Sequence, residues 1–296
     1  PIALSYIILS ISTTQRNSSG TNKTVVVQPN IDPYNDKFGG MDPTLQLSKM
    51  ADLADRLVTS KTRIVIAPET AIPFNFNEEI FKDIPPYKVL SERMKKWENA
   101  ELLIGASTLL FFDHKNSRAS KKNPYGEGFI EYYNTSVYLN KAQKPHFLHK
   151  SKLVLAAEIV PFSNWFPFME ELSLDLGGTT GTLGIEDTPK NFKTNQFHFA
   201  PVICYESVYG DFVAEQSKKG AEAIFIITND GWWGDTPGYK QHMSFARLRA
   251  IENRKSVARS ANTGTSCFIN QRGDVLQKTD WWVATSIRET IKLNRE

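Results

Sequence analysis

Apolar positions follow two patterns along this chain. The first is a set of short, unbroken apolar or β-branched runs that stop at Pro, Gly or Asn. Thr24–Val27 runs into Gln28-Pro29-Asn30, Arg63–Ala67 into Pro68-Glu69-Thr70, and Leu102–Ile104 into Gly105-Ala106-Ser107-Thr108. Phe197–Ile203 ends at Cys204, and Ala223–Ile227 ends at Thr228-Asn229-Asp230. Such runs predict buried strands. The second pattern has a helical period. Between Asp42 and Ser60 the apolar residues are Leu45, Leu47, Met50, Leu53 and Leu57, behind an Asp-Pro start. That predicts an amphipathic helix. Further helices are expected over 87–99, about 210–219 and Tyr239–Lys255. Tyr132–Asn140 and Gln143–His149 read as a strand hairpin, and Ser256–Asn262 and Thr265–Asn270 as strands joined at Thr263-Gly264. The polar stretch 113–128 reads as a loop. Alternating strands and helices with short connections predict an α/β sandwich.

Two stretches do not fit either pattern. The chain opens at Pro1 rather than at Met, with the apolar run Ile2–Ile11, and so reads as a piece of something longer. The run is shorter than the roughly 20 residues a bilayer requires. It is either a buried strand or the end of a transmembrane helix. The polar linker at 12–23 favours the second reading. The expected division is therefore 1–11 as a possible helix end, 12–23 as linker, 24–285 as the catalytic domain, and 286–296 as an extension. The other stretch is Val160–Met169, which carries Val160, Phe162, Trp165, Phe166, Phe168 and Met169 between Pro161 and Pro167. Two prolines forbid a regular helix, so this is a loop. It either folds back on the core or dips into a membrane.

Composition narrows the chemistry. With 41% apolar and 23% charged residues, the 296-residue chain is ordinary for a globular protein. A net charge of +3 is too weak to argue for a nucleic-acid partner. Cys204 and Cys267 stand far apart, and the five histidines show no ligand spacing, so no zinc site is expected. No phosphate-binding or dinucleotide glycine pattern occurs, and no cofactor is expected.

Candidate chemistry gathers at strand ends. Cys204 follows a strand and precedes a helix start at Tyr209-Gly210-Asp211, a place that favours a thiolate. Glu69 ends another strand and Lys150 a third. Each has an ordinary explanation: a packed cysteine, a solvated carboxylate, a surface lysine. Together they are a set. A thiol nucleophile needs a base, and a carboxylate in a partly dry site serves. The oxyanion of acyl transfer needs a cation and a backbone N–H, which Lys150 and the N–H of Tyr205 would supply. Cys267 lies in an apolar strand and reads as structural.

Ala67-Pro68-Glu69-Thr70, Lys150-Ser151-Lys152-Leu153-Val154 and Ile203-Cys204-Tyr205-Glu206 resemble, in order, the three motifs of the nitrilase (carbon–nitrogen hydrolase) superfamily. The resemblance spans about residues 24–280 and implies an αββα four-layer sandwich with a Glu69–Lys150–Cys204 triad. Within the superfamily the chain is similar to the apolipoprotein N-acyltransferases. Glu158 and then Val160-Pro161-Phe162 follow the lysine motif. Asn229-Asp230-Gly231-Trp232-Trp233-Gly234-Asp235 precedes Gln241-His242, and Ala246–Ala250 leads to Arg259–Gly264. Where that family reads Leu-Val-Pro-Phe-Gly-Glu, this chain has Leu153-Val154-Leu155-Ala156-Ala157-Glu158.

The resemblance implies a phospholipid acyl donor, a cysteine thioester, and an apolipoprotein acceptor acylated at its N-terminal amine. It also implies a place at the bacterial inner membrane, facing the periplasm. Lys150 rather than Lys152 has the motif's spacing to Leu153-Val154. Glu158 and Glu206 are expected either to orient Lys150, Tyr205 or the incoming amine, or to form a buried ion pair. Trp232 and Trp233 are expected to line the acyl site or to pack in the core. A soluble amidase with the same triad, and a non-catalytic binding module, are the competing readings.

Overall fold

Alternate residues of one strand serve two different cores. In β1 (Thr21–Gln28), Val25 and Val27 pack toward helices while Val26 packs the other way. The same split recurs in β2 (Thr62–Ile66), where Val65 faces the helices and Ile64 and Ile66 face away. Because side chains alternate across a strand, an unbroken apolar run is what a sheet covered on both faces requires. The computed structural model describes residues 20–37, 40–142, 144–154, 158 and 182–295.

The first sheet runs β14-β1-β2-β4-β6-β5, with β3 also on β4 and β7 also on β6. Its further strands are β3 (Ile72–Asn77), β4 (Glu101–Phe112), β5 (Lys121–Lys122), β6 (Phe129–Leu139), β7 (Pro145–His149) and β14 (Thr285–Lys292). The second sheet runs β13-β12-β11-β10-β9-β8. Its strands are β8 (Phe192–Lys193), β9 (His198–Ile203), β10 (Ala223–Thr228), β11 (Ser256–Ala261), β12 (Cys267–Ile269) and β13 (Val275–Lys278). Helices α1 (Pro43–Asp55) and α2 (Pro85–Lys96) cover the outer face of the first sheet. Helices α3 (Gly210–Lys218) and α4 (Pro237–Asn253) cover the outer face of the second. Between the sheets lies the middle core, where Val26, Ile64 and Leu103 meet Phe199, Phe225 and Ala258. This is an α/β sandwich, as the pattern of strands and helices predicts, in the four-layer αββα form that the resemblance implies.

The middle core is aromatic. Phe199 packs against Phe225 with centroids 4.7 Å apart and the rings tilted by 37°, and meets Tyr138 edge-on at 5.6 Å. Each such ring contributes about 1.5–3 kcal/mol by burial alone. The two sheets are thereby clamped face to face, and their parallel strands β1–β2–β4 and β9–β10–β11 deliver their C-terminal ends to loops. Open α/β folds keep their chemistry at such ends.

Two expected boundaries move. β1 starts at Thr21, inside the expected linker, and the expected extension after 285 is strand as far as Lys292. β14 pairs with β1 over its whole length, from Thr21↔Lys292 to Gln28↔Thr285, and sends Ile287 and Ile291 into the middle core. Residues 286–292 are therefore part of the domain. The loop expected at 113–128 holds a short strand, β5, paired to β6. Ile2–Ile11 and Val160–Met169 lie outside the described residues. Among the described residues no helix is long and apolar enough to cross a membrane.

Candidate active site

Cys204 sits where β9 ends and a 3-10 turn (Cys204–Val208) begins, in a left-handed conformation with φ 52°. A side chain there costs of order 1–3 kcal/mol unless the surroundings hold it. They do so at its carbonyl. Ser207 Oγ donates to Cys204 O at 2.8 Å, and His242 Nε2 lies 3.1 Å from the same oxygen. His242 in turn holds Asp230 Oδ1 through Nδ1 at 2.9 Å, and Arg259 grips both Asp230 oxygens at 3.0 and 2.8 Å. Arg259 also donates to Thr265 O at 2.6 Å. Every charged member of this group is buried. Gly264, at φ 101°, lets the chain pass Asp230 closely: a Cβ there would lie 2.5 Å from Asp230 Oδ2.

Glu69 reaches the same place from the first sheet. After β2 the chain stays on the same edge of β4, pressing close against it at Pro68–Thr70 before pairing with it again as β3. The close approach needs Gly105. A Cβ on Gly105 would lie 2.5 Å from both Glu69 Cα and Thr70 N. Glycine inside a strand marks this kind of close backbone approach. Thr70 then turns with φ 47°.

Lys150, directly after β7, joins the two carboxylates Glu69 and Glu158. Its Nζ donates to Glu158 Oε1 at 2.8 Å and to Glu69 Oε1 at 3.2 Å. Asn134 Nδ2 donates to the same two oxygens, each at 2.8 Å. Glu158 is tethered beside them, its Oε2 accepting from Val154 N at 2.9 Å. Lys152 is elsewhere, with its ammonium 5.6 Å from the Tyr209 ring centroid.

Charge states follow from these neighbours. Burial opposes the charge of Lys150, but Glu158 and Glu69 outweigh it and hold its pKa above the ordinary lysine value. Burial likewise opposes the charge of Glu69, yet Lys150, Asn134 and Lys37 bring its pKa below the ordinary carboxylate value. Burial and the Glu69 carboxylate push the Cys204 thiol well up, against the pull of Lys150 and a Thr228 hydrogen bond. The resting pair is therefore a protonated thiol beside an ionised carboxylate, the states a nucleophile and its general base require.

Glu206 does something the sequence does not disclose. It is not half of an ion pair. Oε1 accepts from Ser151 N at 2.6 Å and Lys152 N at 3.3 Å, and Oε2 accepts from Ile203 N at 2.7 Å. One carboxylate thus ties the segment after Lys150 to the residue before Cys204. Burial raises its pKa to about 7, against those N–H donors and Lys150. Tyr205 is half-buried and meets Tyr209 edge-on at 5.9 Å. Neither tryptophan is fully buried. Trp232 is 38% exposed and packs edge-on against Tyr34 at 5.2 Å, while Trp233 stacks on His242 at 5.7 Å.

Sequence reasoning missed Asn134, Lys37 and the Ser207–His242–Asp230–Arg259 group as site residues. Asn134 left a signal: Asn134-Thr135-Ser136 are consecutive polar residues in the middle of β6, a buried strand whose other residues are apolar or aromatic except Glu131. Cys267 lies in the outer core between the second sheet and its helices, remote in kind from Cys204. Among the described residues no group of His, Cys, Asp and Glu has the makeup of a metal site.

The chain matches known proteins along its whole described length. The apolipoprotein N-acyltransferase of Chlorobaculum tepidum is 33% identical over 283 residues, covering 94% of this chain and 52% of that protein. That of Aquifex aeolicus is 31% identical over 270 residues, covering 88% and 52%. The chain thus spans about half the length of these curated relatives. Among solved structures, Nit3 of Saccharomyces cerevisiae, a member of branch 10 of the nitrilase superfamily, superposes with a TM-score of 0.63 at 18% identity, covering 92% of this chain and 90% of that one. A carbon-nitrogen hydrolase from Helicobacter pylori gives 0.62 at 14% identity, covering 93% and 90%. The family model described as carbon-nitrogen hydrolase matches residues 24–295, from the first strand past the last, so this chain belongs to the carbon-nitrogen hydrolase family.

Proposed function

We propose that this chain is the catalytic domain of an apolipoprotein N-acyltransferase. The observation that supports the reading is that Lys150 bonds Glu69 and the charges of both act on the half-buried Cys204, in a chain similar to those enzymes over 94% of its length. Glu69 takes the Cys204 proton, and the thiolate attacks the ester carbonyl of a phospholipid. Lys150 has three N–H donors, two of them on Glu69 and Glu158, and can turn one toward the oxyanion. The N–H of Tyr205, in the first turn of the 3-10 segment, is the second donor. The C–O bond breaks, and the departing lysophospholipid oxygen recovers the proton from Glu69. The thioester is then attacked by the N-terminal amine of a lipid-modified cysteine on an apolipoprotein. That amine gives a proton to Glu69, the C–S bond breaks, and the thiol is restored. Trp233, stacked on the His242 that reaches the Cys204 carbonyl, and the exposed Trp232 suit contact with the acyl chain. The site belongs, in this reading, at the periplasmic face of a bacterial inner membrane.

Incubation with phospholipid followed by peptide mass spectrometry tests the chemistry. The expected result is an acyl adduct on Cys204 that disappears in Cys204→Ala and persists in Cys267→Ala. An adduct on Cys267 alone would sink the assignment. Turnover of small amides with no phospholipid adduct would instead indicate an amidase.

A further inference from the structure

The site holds a second buried lysine. Lys37 follows β1, and its ammonium donates to the Glu69 backbone carbonyl at 2.9 Å while the residue is 2% exposed. The loop that carries it is built to place it. Asp32 Oδ1 accepts from Tyr34 N at 2.8 Å and Asn35 N at 3.2 Å, and Lys37 N donates to Asp32 O at 2.9 Å. From α1, Gln46 Nε2 donates to Lys37 O at 2.9 Å and Met41 O at 2.9 Å. A lysine almost never reaches such burial without a charged or catalytic reason.

Charge counting supplies the reason. Glu69 and Glu158 carry two negative charges, and the Lys150 ammonium touching both carries one positive charge. That group is net negative beside a thiol that must become a thiolate. Adding Lys37 brings two ammoniums against two carboxylates. When the Cys204 proton moves to Glu69 and the negative charge passes to a substrate oxyanion, the balance of two against two is kept. The field of Lys37 falls on both Glu69 and Cys204, and burial lowers its own pKa to about 8 against those two groups.

We propose that Lys37 is the second cation of the active site, a positioning residue that fixes the Glu69 main chain and offsets the surplus carboxylate charge so that Cys204 can react. The proposal rests on Cys204 being the nucleophile, and its test separates the two. The rate of Cys204 alkylation in the full chain is measured at the Cys204 peptide with iodoacetamide and with iodoacetate. Lys37→Gln should slow the iodoacetamide reaction by about tenfold or more, the usual effect of removing a neighbouring opposite charge, and lower the iodoacetate-to-iodoacetamide ratio. Lys37→Arg should keep both near wild type. Unchanged rate and ratio in Lys37→Gln would overturn the role of Lys37 and leave the nucleophile standing. A wild-type Cys204 inert to both reagents would overturn both ideas.

Should Lys37→Gln not fold, the wild-type ratio against pH decides alone, because both reagents need the same thiolate and its ionisation cancels. The groups facing Lys37 are Glu69 from the end of β2 and Cys204 from the end of β9, with Gln46 from α1 and Asp32 and Asp36 on its own loop. The Asp32 and Glu69 carboxyls are both held below the ordinary carboxylate value, by hydrogen bonds at Asp32 and by Lys150, Asn134 and Lys37 at Glu69. The ratio should therefore fall with a midpoint near the Lys37 value of about 8, and a flat ratio would overturn the proposal.

Discussion

Cys204 lies between two buried charge clusters that differ in how their protons are held. On one side, Asp230 has both oxygens on Arg259 and one also on His242, and Arg259 is further tied to a backbone carbonyl. One Arg259 nitrogen, Nη2, serves both oxygens while Nη1 holds the backbone carbonyl, and charge-assisted bonds of this kind are strong. On the other side, Lys150 is divided between Glu69 and Glu158, and Asn134 is divided between the same two oxygens. A single ammonium serving two carboxylates can give up one when a third negative group appears. The first cluster is a fixture that holds the Cys204 carbonyl. The second is arranged so that a proton and a hydrogen bond can move. Burial of charge thus serves two ends in one molecule, and the partner geometry tells which.

The comparison can be broken from the fixture side. Asp230→Asn removes the charge that Arg259 pairs with, and breaking one partner of a buried pair typically costs about 3–5 kcal/mol. The expected outcome is a large loss in urea-unfolding free energy, with Cys204→Ala, by contrast, nearly as stable as wild type. A stable Asp230→Asn variant would show that the fixture is not what holds the second sheet's loops.

On the mobile side the effect should appear in rate. Lys150→Met should lower the rate of thioester formation per folded molecule by a few hundred-fold, the cost of losing one oxyanion donor at about 3–4 kcal/mol. Lys152→Met, whose ammonium faces Tyr209, should change it little. Comparable rates for the two variants would reject Lys150 as the oxyanion partner.

The smallest expected effect sharpens the comparison at the tie between the sheets. Glu206→Gln leaves one amide nitrogen facing a backbone N–H, so the clasp loses a bond worth about 1–3 kcal/mol in this buried setting. Its pH signature has a definite sign. Glu206 has a folded pKa of about 7 against 4.5 for the ordinary group. Between those values the folded state binds more protons than the unfolded one, so this group's contribution to stability falls as pH rises through the window. Glu206→Gln should remove that slope. Identical stability–pH slopes in the two proteins would contradict it.

The reactive strand ends were readable because strand and terminator are local. Arg63–Ala67 before Pro68-Glu69 and Phe197–Ile203 before Cys204 state their own burial and their own endings. The order of motifs added the likeness to a Glu–Lys–Cys site. Asn134 was half-legible, as a polar interruption in an apolar strand. Lys37 was not, since it directly follows a polar turn, Asp32–Asp36, where a lysine is commonplace. Its burial depends on Glu69, which lies 32 residues away in sequence.

What the sequence determined by itself is therefore the set of strands, their two-faced burial and the residues at their ends. Apolar periodicity and turn chemistry act over a few residues and need no partner to be read. Which ends meet was decided only by the tertiary structure. β14 closes on β1 from the far end of the chain, Gly105 lets Glu69 press close against β4, and Glu206 fastens the Lys150 segment to the Cys204 strand. These contacts depend on packing between segments distant in the chain, where one face of a sheet finds the other, and no local pattern carries that information.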